Sequence, residues 1–178
     1  HHPEKMGIKG IHVNLSVVQC MQANIYLKLM KIIEKYNIPE GLIDFEITES
    51  TADNTSEHIG RIMTDFGKNG IHFSLDDYGT GYSNMRRVIQ LPLKIVKLDK
   101  SFVDEQENPK MWIVLQNTVK MLKDMNMEIV VEGIETENMA EQFAALNRDF
   151  IQGYYYSRPL SVEAFEQKTF GVNSETES

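Results

Sequence analysis

The chain has 178 residues, of which 42% are hydrophobic and 25% charged, and its net charge is −8. That length buries a sizeable core as one domain, and the excess of acid argues against a duplex nucleic-acid groove, which needs clustered Lys and Arg. The single Cys20 forms no internal disulfide, which fits a reducing, cytoplasmic setting, and no apolar run approaches membrane-spanning length, so no membrane contact by the chain itself is expected. An anionic substrate stays compatible with this charge if metal ions supply positive charge locally. His1 and His2 are assigned no function. The domain is expected over 1–170, with a polar, disordered tail over 171–178.

The first apolar run, 11–15, predicts a strand. In the helical pattern after it, Ile25, Leu29, Ile32, Ile33 and Tyr36 share one face, and Asn37 and Pro39 end it. A strand over 42–47 carries Asp44 and Glu46. Asn54 and Glu57 form a capping-box pair for a helix with the stripe Ile59, Ile62, Met63 and Phe66, stopped at Gly67 or Gly70. The run 71–75 reaches two consecutive carboxylates, Asp76 and Asp77, before a loop containing Gly79 and Gly81. Ser83 caps a short helix over 84–90, which Pro92 closes. The next strand, 93–98, holds Lys94 and Lys97 in an apolar run. Asn108 and Pro109 open a helix with Met111, Val114, Leu115, Thr118, Leu122 and Met125 on its buried face. A strand over 127–131 ends in Glu132, Gly133, Ile134 and Glu135. A helix over 137–146 leads to a strand start at Phe150 and Ile151, and Ser161 caps a last helix carrying Phe165.

Strict β/α alternation means parallel strands with right-handed crossovers. An open doubly wound sheet and a closed barrel both fit. The absence of a Gly-rich phosphate loop after the first strand weakens the nucleotide-binding version.

Each strand carries a polar residue near its C-terminal end: Asn14, Glu46, Asp76 with Asp77, Lys97 with Asp99, Glu132 with Glu135, and Gln152. In a parallel barrel these ends converge on one face, where active sites of such barrels sit. A single polar strand end is usually a helix cap, but caps do not account for polar residues, mostly carboxylates, at all six strand ends. Asp76 and Asp77 point to opposite sides if the strand continues through them. The loop either bends them toward one spot or is a plain polar turn. Oxygen donors with one lysine select Mg²⁺, Mn²⁺ or Ca²⁺, and several carboxylates sharing cations suit a two-metal displacement at phosphorus. Lys97 would hold the attacking water or balance phosphate charge; a salt bridge to a neighbouring acid is the structural alternative. His58 and His72 read as solvated or core-edge histidines.

The segments VNLS at 13–16, EITES at 46–50 and DDYGTGYSN at 76–84 resemble motifs of the EAL-domain phosphodiesterases, as do KLDKSFV at 97–103, VEGIETE at 131–137 and QGYYYSRPL at 152–160. The resemblance implies a TIM-like (β/α) barrel with six of its eight strands in this chain, and hydrolysis of cyclic di-GMP to the linear dinucleotide pGpG. It implies that Asn14, Glu46 and Asp76 hold one Mg²⁺ or Mn²⁺ ion, and Asp76, Asp77 and Glu132 a second. It makes Lys97 the residue that positions the water, with Glu132 also a base, and puts Asp99, Glu135 and Gln152 near the substrate. Glu49 would anchor the loop that follows Asp77, and the family implies a homodimer.

The departures are a missing Glu-Ala-Leu tripeptide with its nearby arginine, Tyr78 for the usual Phe, and Val131 for the usual Ala. The stretch is therefore expected to be a fragment of a longer protein or a lineage that lost part of its site. By itself it should self-associate through open sheet edges and turn over little substrate. The competing readings are a catalytically inactive module that binds cyclic di-GMP or a protein partner, and a different phosphate-handling barrel enzyme.

Overall fold

The computed structural model of the chain describes residues 7–48, 56–80 and 84–170. The predicted caps Ser83 and Asn54, the anchor Glu49 and the tail lie outside the described residues. The elements run β1 (Ile11–Asn14), α1 (Val17–Cys20), α2 (Ile25–Lys35), β2 (Ile43–Thr48), α3 (Ser56–Gly67), β3 (His72–Tyr78), α4 (Asn84–Gln90) and β4 (Ile95–Leu98). They continue with α5 (Ser101–Asp104), α6 (Pro109–Asp124), β5 (Glu128–Val131), α7 (Glu137–Ala144), β6 (Phe150–Ile151) and α8 (Val162–Phe170).

The six strands form one sheet in the order β1-β2-β3-β4-β5-β6, and every pairing is parallel. A doubly wound sheet reverses its strand order partway across. Strictly sequential order is that of a barrel wall, and the sheet is a curled part of a TIM-like barrel. Among the described residues β1 and β6 each pair on one side only. The edge position shows in β1, whose Ile11 and Val13 are 40% and 41% exposed.

Period-two alternation assigns the two faces of the sheet. Phe45, Ile47, Phe73 and Leu75 face the helices and are buried. There the Phe66 ring of α3 packs on Phe45 at 5.2 Å, Phe73 at 5.8 Å and the Tyr26 ring of α2 at 5.0 Å between centroids. The stripe predicted for α3 forms as expected, with Ile59, Met63 and Phe66 buried. On the opposite face the register aligns His12, Asp44 and His72 in one layer, and Asn14, Glu46 and Ser74 in the next. His72 opens its strand, and its backbone N–H donates to Asp44 Oδ1 at 3.0 Å.

The predicted caps at Asn108 and Ser161 both form. Asn108 Oδ1 accepts from the Lys110 N–H at 3.1 Å, and Ser161 Oγ accepts from the Ala164 N–H at 3.2 Å. Two predicted helix faces differ. In α2, Ile32 and Tyr36 are exposed, because the contact of Tyr26 with Phe66 rotates the buried stripe toward Tyr26, Leu29, Met30 and Ile33. In α6, Val114 is exposed and Val119 is buried instead, while Trp112 packs edge-on against Phe143 of α7. The short helices α1 and α5 are additions to the predicted set.

Candidate active site

The acidic strand end is built by a backbone irregularity. Leu75 pairs with Val96 and Tyr78 with Leu98, so β3 advances three residues where β4 advances two. This is a β-bulge. Asp77 sits at φ 57, in the left-handed region that Asp tolerates better than most residues. The strand thus runs through both carboxylates, and the bulge, rather than the glycine loop, turns them to one side. The loop then closes as Thr80 donates its backbone N–H to the Asp77 carbonyl at 3.3 Å and its hydroxyl at 3.0 Å. Gly79 is required next to it, at φ 114, where a Cβ would collide with the Phe102 ring of α5.

With the bulge in place, carboxylate oxygens of Asp76, Asp77 and Glu132 lie within 4.8 Å of one another. Lys97, buried on β4, reaches across the group. Its Nζ is 2.7 Å from Glu132 Oε1, 3.0 Å from Glu46 Oε1 and 3.0 Å from Asp76 Oδ1. Asp76 Oδ1 is a buried oxygen, and the Lys97 ammonium is its charged neighbour.

The acids respond differently to this setting. Burial disfavours ionised Glu46, but the His12 hydrogen bond and the Lys97 ammonium outweigh it, so its carboxyl is held below its ordinary value. Glu132 is raised, chiefly by burial, with Asp76 and Glu46 adding to it against the pull of Lys97. Asp77 is also raised, by burial first and then by the charges of Asp76 and Asp99. Burial opposes the Lys97 charge, yet the carboxylates around it win and hold it firmly protonated.

The structure therefore brings together five predicted residues: Glu46, Asp76, Asp77, Lys97 and Glu132. Asn14 stands beside Glu46 in register and is exposed. Asp99 bears on Asp77 electrostatically, while its Oδ1 accepts from the Ser101 N–H at 2.9 Å and starts α5. Glu135 and Gln152 are exposed beside the end of β5, and the Gln152 backbone donates to Val131 at 2.9 Å and accepts from Ile134 at 3.2 Å. Sequence reasoning missed His12, whose Nδ1 lies 3.1 Å from Glu46 Oε1. The available signal was its spacing, since two residues before Asn14 on a strand is the same face. A surface groove of about 700 Å³ between α3 and α4, lined in part by Arg61, Lys68 and Ile89, shares no residue with this cluster. Among the described residues no helix is long and apolar enough to cross a membrane.

The EAL domain family model matches residues 2–159. The chain is 30% identical over 167 residues to the cyclic di-GMP phosphodiesterase PdeR of Escherichia coli (strain K12), covering 89% of this chain and 25% of that protein. It superposes on the crystal structure of the EAL domain of Mycobacterium smegmatis DcpA with TM-score 0.85 at 26% identity, covering 93% of this chain and 76% of that one. It likewise matches PaMucR phosphodiesterase in complex with c-di-GMP with TM-score 0.79 at 29% identity, over 88% of this chain and 64% of that one. The chain spans between about a fifth and a quarter of the length of the first curated relatives it matches. A model match over nearly the whole chain, a sequential parallel sheet and acids gathered at its strand ends agree: this chain belongs to the EAL domain family.

Proposed function

We propose that this domain hydrolyses cyclic di-GMP to linear pGpG, using two divalent cations, Mg²⁺ or Mn²⁺. The observation that carries the reading is the crowding of carboxylate oxygens of Asp76, Asp77 and Glu132 within 4.8 Å of one another. Like charges this close are costly unless a cation lies among them. An all-oxygen donor set suits hard cations. Asn14, Glu46 and Asp76 would hold one ion, and Asp76, Asp77 and Glu132 the other, with Asp76 shared. Bound cations supply charge stabilisation at the phosphoryl oxygens and an acidified water.

The chain's own groups complete the chemistry. Lys97 stays protonated, so it can only donate; it orients the attacking water and balances negative charge rather than taking a proton. Glu132, with its carboxyl raised by burial, is suited to accept the water's proton. Asp99, Glu135 and Gln152 would contact the dinucleotide, and Glu49 would anchor the loop beyond Asp77. The working unit is a cytoplasmic homodimer in this reading. The names of the relatives and a cyclic di-GMP-bound structural neighbour support the choice of substrate.

The test is chromatographic detection of pGpG from cyclic di-GMP with Mg²⁺ or Mn²⁺ present. Asp76→Asn and Asp77→Asn should each abolish turnover. Near-normal hydrolysis by either variant would remove the two-metal assignment. Tight cyclic di-GMP binding with no turnover by the unaltered protein would favour a regulatory binding module.

A further inference from the structure

We propose that His12 is a positioning residue for Glu46, a role that rests on reading Glu46 as a cation ligand. His12 lies on β1 two residues before Asn14, so both project from the same face of the strand. Its Nδ1 is 3.1 Å from Glu46 Oε1, and Lys97 Nζ is 3.0 Å from that same oxygen. The Glu46 side chain is 9% exposed. A carboxylate touched by one ammonium can still pivot about that contact. Donors from strands on opposite sides of β2 remove the pivot and commit Oε1 to the protein. Oε2 is then the oxygen presented to a cation, in a fixed plane. Partners that orient a ligand in this way commonly govern metal affinity by 10- to 100-fold.

The experiment measures Mn²⁺ affinity by calorimetry in four proteins: the unaltered protein, His12→Ala, His12→Gln and Asp77→Asn. We expect His12→Ala to weaken binding about tenfold and to lower kcat for cyclic di-GMP with little change in KM. His12→Gln retains an N–H donor and should recover most of the loss, which distinguishes positioning from simple filling of space. His12 is one-third exposed on an edge strand, so folding should survive both changes. Unchanged Mn²⁺ affinity in His12→Ala, with affinity lost in Asp77→Asn, overturns the role of His12 and leaves the metal centre standing. Equal weakening by His12→Ala and His12→Gln also overturns it. Unchanged affinity in Asp77→Asn removes the metal centre itself, and the role of His12 with it.

Discussion

Glu46 on β2 and Glu132 just past β5 have side chains 9% and 16% exposed and both touch the same lysine, yet their carboxyls shift in opposite directions. Glu132 even has the shorter contact with Lys97, 2.7 Å against 3.0 Å. The difference lies in the remaining neighbours. Glu46 adds a donor, His12, whereas Glu132 adds acids, Asp76 and Glu46 itself. One cluster therefore has a side satisfied by protein donors and a side with surplus negative charge. Proximity to a lysine does not by itself fix a carboxylate's state; the sum over all neighbours does. The surplus lies where the proposed shared ion would sit.

The strongest way to break this contrast is to remove the common counter-charge. Lys97→Met leaves the buried acids without their ammonium and should cost about 3–5 kcal/mol in urea unfolding, the usual result of stranding one partner of a buried pair. A loss below about 1 kcal/mol would mean that the acids are already solvated and the contrast is weak. Glu46→Gln comes next, because it discards two charge-assisted contacts, and about 1.5–3 kcal/mol should be lost. Glu132→Gln should cost far less than Glu46→Gln with divalent cations withheld, since it relieves repulsion as it gives up one ion pair. Equal losses in these two variants would erase the distinction.

The smallest effect is in pH dependence, and its sign sharpens the comparison. Glu132 and Asp77 have folded pKa values above their ordinary ones. Each contributes stability that is full below about pH 4 and is lost as pH rises through the raised folded value. Glu46 is lowered, so its contribution is present above about pH 4 and is lost as pH falls through the lower folded value. Urea midpoints across the acid range should show Glu132→Gln removing a decline toward neutrality and Glu46→Gln removing a decline toward acid. The same slope change in both variants would show that the acids titrate as one unit.

Much of this site was legible because strand ends are legible. Asp44 and Glu46 alternate with Phe45 and Ile47, and that period assigns one face to helices and the other to polar chemistry. Lys97 stands alone among apolar neighbours on β4, which marks it without any structure. That Asp76 and Asp77 could turn toward one spot was legible, but the means was not, since the bulge depends on how β3 registers against β4, and nothing local in the sequence specifies that. His12 was hidden by its company, an apolar run in which an imidazole reads as incidental. The rotation of α2 was likewise set at a distance, by Tyr26 meeting Phe66.

The bulge in β3 also couples two things usually considered separately, the grip on an ion and the register of the sheet. Directly after Asp77, the Tyr78 carbonyl accepts the Asp99 N–H at 3.1 Å. A slip of that segment back to ordinary alternation would part the two acids and break this bond together. Ion uptake should then slow hydrogen exchange at the Asp99 amide, which reports cation binding from the backbone of β4's end without being a ligand. In this sense the extra residue acts as a mechanical linkage between ion and strand.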